Sequence, residues 1–144
     1  IDHFKKFNDT YGHDIGDDVL KLVARILRET TGGAKAYRYG GEEFTIIFKG
    51  KYTEQVKEHL QVLISEIQNY DMTIRNSHER PDDHEVGIKN RGQNGKPSEV
   101  VNVTVSIGLS DSTTTKHPEE VLKLADKALY KAKETGRNKL CVDS

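Results

Sequence analysis

Lys35-Ala36-Tyr37-Arg38-Tyr39-Gly40-Gly41-Glu42-Glu43-Phe44-Thr45-Ile46-Ile47-Phe48-Lys49 is the stretch on which the fold turns. Two runs rich in aromatic and β-branched residues flank a glycine pair, so Lys35–Tyr39 and Phe44–Lys49 read as the strands of a hairpin with Gly40-Gly41 as its turn. Adjacent carboxylates, Glu42 and Glu43, follow the glycines directly. Such a pair can approach a phosphate only with divalent cations screening the repulsion. Magnesium fits, because it is commonly held by one or two carboxylates while substrate phosphates complete its shell. The glycines let the backbone come close. Taken alone, Gly-Gly-Glu-Glu is also an ordinary solvated hairpin, and the rest of the chain decides between the two.

Upstream, Val19, Leu20, Val23, Ile26 and Leu27 place a one-faced helix over Asp14–Thr30, with Asp14, Asp17 and Asp18 crowding the positive end of its dipole. Phe4–Tyr11 reads as a shorter helix ended by Gly12. Downstream, Val56, Leu60, Leu63, Ile64 and Ile67 form a second amphipathic helix with Thr53 as its N-cap. Met72–Arg75 is a short strand. Residues Asn76–Ser98 are polar and hold Pro81, Pro97, Gly87, Gly92 and Gly95, the composition of a surface insertion (76–98). Val101, Val103, Val105, Ile107 and Leu109 alternate with polar or small residues, giving the cleanest strand of the chain. Pro118 with Glu119 and Glu120 opens a last helix whose apolar stripe is Val121, Leu122, Ala125, Ala128, Leu129 and Ala132. Gly136 ends it and Lys139–Val142 returns as a strand. Alternating strands and helices predict an α/β (α+β) domain, a sheet with helices packed on it.

The 144 residues suit one domain, and 22 Lys and Arg against 23 Asp and Glu leave a net charge of -1. No global field gathers nucleic acid or anionic membrane, so any phosphate-binding charge must be local. The lone Cys141 fits a reducing, cytoplasmic setting. No apolar run is long enough to span a membrane and no leader is present. The chain starts at Ile1, and its only methionine is Met72. It therefore reads as a fragment of a longer protein with a sensor, receiver or membrane anchor upstream.

Four ordered blocks surround and include the turn: Phe4-Lys5-Lys6-Phe7-Asn8-Asp9-Thr10-Tyr11-Gly12-His13 followed by Gly16-Asp17; Arg38 to Phe44; Val103-Thr104-Val105-Ser106-Ile107-Gly108; and Ala125 through Asn138. Together they resemble the GGDEF family of diguanylate cyclases, in a GGEEF variant. The resemblance spans nearly the whole chain apart from the polar insertion. It implies a palm-like nucleotide-cyclase fold with a central, mainly antiparallel sheet flanked by helices. The implied reaction condenses two GTP into cyclic di-GMP with release of two pyrophosphates, each of two facing domains supplying one GTP.

Carried over residue by residue, the resemblance makes Glu42 and Glu43 the catalytic acidic pair. Glu43 is a metal ligand and Glu42 a ligand or base, with the backbone carbonyl of Ile1 turned to the same Mg2+ or Mn2+. Asn8 and Asp17 match guanine-reading positions; in their own right both also suit helix capping. Lys133 and Arg137, four residues apart at the end of the last helix, suit the β- and γ-phosphates, though cations at a helix C-terminus are common. Phe4, Lys5 and Gly41 complete the substrate-binding set, through backbone N–H groups as well as the Lys5 side chain. His13 is assigned a structural role, hydrogen-bonding the loop, rather than a catalytic one. Two features depart from the family. An aspartate that relatives carry immediately before the position of Ile1 is absent, so the chain lacks one metal ligand and most of the first strand. The inhibitory Arg-x-x-Asp site is replaced by Thr31-Gly32-Gly33-Ala34, which predicts no product inhibition of that type. The other reading is a non-catalytic GTP-binding or dimerising module, which the intact acidic pair disfavours. His78 and His84, with Glu79, Asp82 and Asp83, have no recognised metal-ligand spacing.

Overall fold

The computed structural model describes residues 1–74 and 99–143; the insertion 76–98, with its histidines, and Arg75 lie outside them. Among the described residues, four helices and six short strands follow one another as α1 (Phe4–Tyr11), α2 (His13–Arg28), β1 (Ala34–Gly40), β2 (Glu43–Phe48), α3 (Thr53–Gln68), β3 (Met72–Ile74), β4 (Glu99–Val101), β5 (Ile107–Leu109), α4 (Pro118–Glu134) and β6 (Leu140–Val142). Two compact units result: Ile1–Asn69 with Val103–Ser144, and Tyr70–Asn102.

In the larger unit, α2 buries Val19, Leu20, Val23, Ile26 and Leu27, and α3 buries Val56, Leu60, Leu63, Ile64 and Ile67, the residues that helical periodicity selects. Each such side chain contributes about 1.5–3 kcal/mol on leaving water, which is what holds these helices down. The stripe on α4 is narrower than its sequence suggests. Ala128 and Ala132 are buried while Leu122 stays 36% exposed. Helix α4 rides directly on β5: a Cβ added at Gly108 would lie 2.0 Å from the Ala125 carbonyl oxygen and 2.3 Å from the Leu129 nitrogen. Only a residue without a side chain permits that approach.

Helix boundaries shift some assignments. Since α2 begins at His13, Asp14 alone stands in its first turn, and Asp17 and Asp18 fall one turn later. Tyr52, not Thr53, precedes α3; Thr53 is its first residue, and its N–H donates to Asp111 Oδ2 at 2.9 Å. The cap comes from a loop far along the chain, which local sequence could not disclose.

Strands β1 and β2 pair antiparallel from Ala34 opposite Phe48 to Gly40 opposite Glu43, with a bulge between Arg38 and Gly40. Strands β5 and β6 pair in parallel, Ile107 opposite Leu140. In the smaller unit β3 and β4 pair antiparallel, Met72 opposite Val101, and Asn102 Nδ2 donates to Asp71 Oδ1 at 2.8 Å. Two of the three pairs are thus antiparallel, but among the described residues they form three separate two-stranded sheets rather than one continuous sheet. The single strand expected over Val101–Ser110 is likewise divided. Residues 102–106 lie between β4 and β5 without a ladder, although Val103 and Val105 are buried as the alternation requires. One backbone bond, Asp2 N–H to the Thr104 carbonyl at 2.9 Å, supports this stretch.

Candidate functional site

The bulge leaves Tyr39 without a partner and lets β1 reach a tight turn at Gly41-Glu42. Gly41 sits there at φ +49°, a left-handed conformation that glycine adopts without steric cost. Arg38 braces the turn from below: its Nε and Nη2 donate to the Gly41 carbonyl oxygen at 3.2 and 2.8 Å. This bidentate brace fixes the backbone that carries both carboxylates, and it was not singled out from the sequence. The signal available was a guanidinium three residues before the apex.

Glu42 and Glu43 open onto a cavity of 170 Å³ whose polar lining also includes Ile1, Asp2 and Lys133. The backbone nitrogen of Ile1 lies 3.4 Å from the Glu42 carbonyl oxygen. Four sequence-predicted residues, Ile1, Glu42, Glu43 and Lys133 of α4, therefore line one cavity. No group of three His, Cys, Asp or Glu side chains among the described residues is arranged to hold a metal. The candidate donor set is instead two carboxylates and a backbone oxygen. These are hard oxygen donors of the type magnesium takes while keeping waters or phosphates in its remaining positions, and on that chemistry they fit the ion.

On the other side of the hairpin, Asp17 lines a groove with Leu20, Lys21, Arg28, Tyr37 and Arg38. Asn8 lies close by in sequence but under α2: a Cβ at Gly16 would stand 1.7 Å from Asn8 Oδ1. That oxygen is buried without a hydrogen-bond partner. An unpaired buried amide oxygen is costly and points to a missing donor. Asn8 is half-buried and Asp17 exposed, and neither caps the helix it was weighed against. Phe4 is buried, so its side chain belongs to the core, while the exposed Lys5 and the free N–H groups of the first turn of α1 remain available to a ligand.

Beyond α4 the chain passes through Gly136, Arg137 and Asn138 at φ +119°, +61° and +50°. The Arg137 N–H closes the helix on the Ala132 carbonyl at 2.9 Å. Arg137 and Lys133 are both exposed. Asp2, 7% exposed, accepts from the Asn138 N–H of this turn. Burial pushes its carboxyl pKa up, but hydrogen bonds from Ser106, Thr104 and the Asn138 amide outweigh that and hold it below the ordinary range.

At the position of the expected inhibitory site, the Thr31 hydroxyl is hydrogen-bonded to His59 Nδ1 at 2.7 Å, and the His59 ring lies against Gly32. No guanidinium stands among Thr31–Ala34. His13 opens α2 and is exposed; among the described residues its ring makes no hydrogen bond, so the loop-bonding role assigned to it does not appear. Cys141 is half-buried in β6.

The family model for the diguanylate cyclase GGDEF domain matches residues 1–97 and 88–139. The chain is a GGDEF domain. It is 38% identical over 144 residues to the probable diguanylate cyclase DgcT of Escherichia coli, covering 99% of this chain and 27% of that protein. To diguanylate cyclase DgcZ of the same organism it is 34% identical over 140 residues, covering 96% of this chain and 40% of the relative. The crystal structure of the GGDEF domain of DgcB from Caulobacter crescentus, in complex with c-di-GMP, superposes with a TM-score of 0.77 at 32% identity, covering 99% of this chain and 72% of that one. The palm-like cyclase fold follows from this likeness. The GGDEF domain described here thus spans well under half the length of those two curated relatives. None of its described helices is long and apolar enough to cross a membrane.

Proposed function

We propose that this GGDEF domain is the cytoplasmic output part of a diguanylate cyclase that binds GTP and, facing a second copy of itself, condenses two GTP into cyclic di-GMP and two pyrophosphates. The observation that carries the reading is the convergence of Glu42, Glu43, Ile1 and Lys133 on one cavity, with Asp17 in a second groove lined by the same hairpin. Membership of a family whose relatives are named diguanylate cyclases supports it.

Glu43, Glu42 and the Ile1 carbonyl would hold Mg2+ or Mn2+, which when bound neutralises triphosphate charge and acidifies the attacking hydroxyl. The chain itself supplies the remainder. Asp17 accepts from the N1–H and amino donors of guanine, and the orphaned Asn8 oxygen offers a second acceptor; adenine would leave such acceptors unpaired, the kind of loss that gives a site its selectivity. Lys133, Arg137, Lys5 and the free N–H groups of Phe4 and Gly41 take up phosphate charge. Either Glu42 or Glu43 receives the 3′ hydroxyl proton. Since one domain offers one acidic pair and one guanine groove, closure of the ring calls for a partner copy. The Thr31–His59 contact occupies the inhibitory position, so no feedback of the Arg-x-x-Asp type is proposed.

The deciding experiment incubates the full-length protein and its Glu43→Gln variant with GTP and magnesium and reads the product by mass spectrometry. Cyclic di-GMP from the former and none from the latter is the expected result. Nucleotide binding without product would instead favour a non-catalytic GTP-binding module.

A further inference from the structure

We infer that Asp2 is a positioning residue for the triphosphate end of the site, a buried carboxylate that ties the Ile1 backbone to the Arg137 turn; the inference rests on the reading of the site proposed above. Its carboxylate accepts three hydrogen bonds: from Thr104 Oγ1 at 2.7 Å, Ser106 Oγ at 2.6 Å and the Asn138 N–H at 3.0 Å. A buried carboxylate persists only where such donors replace water, and here two hydroxyls and one amide do so.

The third bond does more than satisfy a charge. Arg137 and Asn138 are both left-handed without being glycine, a conformation that asparagine tolerates but that is sterically unfavourable for arginine. Local sequence therefore does not hold this turn; its ties are the Arg137 amide to Ala132 and the Asn138 amide to Asp2. Releasing the second frees the backbone to relax toward right-handed angles, which redirects the Arg137 side chain. Asp2 also immediately follows Ile1, whose carbonyl is a candidate metal ligand. One carboxylate thus sets the spacing between the cation-binding and phosphate-binding sides, and strain of this kind persists where surrounding contacts over-determine it.

The test compares binding of α,β-methylene GTP with magnesium against binding of GMP, which reaches only the guanine end. Asp2→Ala should weaken the triphosphate analogue about tenfold, a coupling typical of groups in one network, while GMP changes less than about twofold. Asp2→Asn, which keeps one acceptor oxygen, should fall between Asp2→Ala and the native protein, and it carries the comparison alone if Asp2→Ala does not fold. In an Arg137→Ala background the Asp2 substitution should add nothing further. Equal losses for both ligands, or full additivity with Arg137→Ala, would overturn the inference. Should the native protein bind neither nucleotide, the GTP reading fails separately. Amide hydrogen exchange at Arg137 and Asn138 then still decides the positioning role: faster exchange in the Asp2 variants supports it, and unchanged exchange refutes it.

Discussion

Gly40–Glu43 and Gly136–Asn138 are both turns that present charge to the candidate site, yet they are built in opposite ways. The first is local. A glycine takes the positive φ, a neighbouring strand residue, Arg38, braces the carbonyl, and the ladder of β1 and β2 closes it. The second puts positive φ on an arginine and an asparagine and is held from 136 residues away, by Asp2. A turn made by its own sequence can tolerate changes of its charged groups without unfolding. A turn imposed by a distant carboxylate stores strain, and changes there exchange stability against function.

Glu43→Gln breaks the comparison most forcefully on the functional side. Glu43 is exposed and its carboxylate has no hydrogen bond or ion pair among the described residues, so thermal stability should be unchanged while cyclic di-GMP formation by the full-length protein falls at least about a hundredfold, as when a charge-stabilising group is removed from an active site. A matching loss of stability would mean that the first turn is not self-sufficient.

Arg137→Gly tests the second turn from the other direction. Glycine takes φ +61° freely, so relief of the left-handed strain offsets the added freedom of the unfolded chain, and stability should hold or rise by up to about 1 kcal/mol. Affinity for magnesium-bound GTP should fall about tenfold through loss of the guanidinium. Urea titration with nucleotide binding on the same samples separates the two effects, and a clear loss of stability would show that Arg137 is not strained.

These opposite constructions also explain what the sequence disclosed. Periodicity named the buried residues of α2 and α3, and the Gly-Gly hairpin was legible because everything that makes it lies between Ala34 and Phe48. The split of the expected Val101–Ser110 strand was not, since alternation reports which side chains are buried and says nothing about whether a neighbouring backbone is there to pair. Thr53 looked like a cap because its hydroxyl type suits one, while the real acceptor, Asp111, is 58 residues away. Asp2 is not among the candidate site residues that the sequence names. Its three donors come together through tertiary folding, and no spacing rule connects them. Asn8 and Asp17 were found as candidates by the resemblance, whereas the contact of Gly16 with Asn8 needed coordinates.

Arg38→Ala sharpens the claim that the first turn is braced locally. The two hydrogen bonds to Gly41 are solvent-exposed, so their removal should cost only about 1 kcal/mol, with a several-fold drop in turnover as Glu42 and Glu43 lose a fixed backbone. Lysine at this position supplies one donor group instead of a fork and should recover only part of the turnover. Full recovery would show that charge, not bidentate geometry, is what Arg38 contributes.

Asp111 gives the smallest expected effect and repeats at the surface the device that Asp2 uses inside. It accepts from the Thr53 N–H at 2.9 Å and the Thr113 N–H at 3.0 Å, and hydrogen bonds from Thr113 and Thr53 hold its carboxyl below the ordinary value of 3.8. A lowered native pKa means that this stabilisation is fully present above the unfolded value and disappears as pH falls through the native one. Asp111→Asn should therefore cost under about 1 kcal/mol at neutral pH, because solvent screens an exposed cap. The gap between native and variant should stay constant down to about pH 4 and close below it. Nucleotide affinity should not change, since α3 supplies none of the candidate site residues. Urea melts from pH 7 to pH 3 measure the gap directly. If it survives full protonation, Asp111 acts through packing rather than charge, and the likeness to Asp2 fails at the surface, where water competes for the same N–H groups.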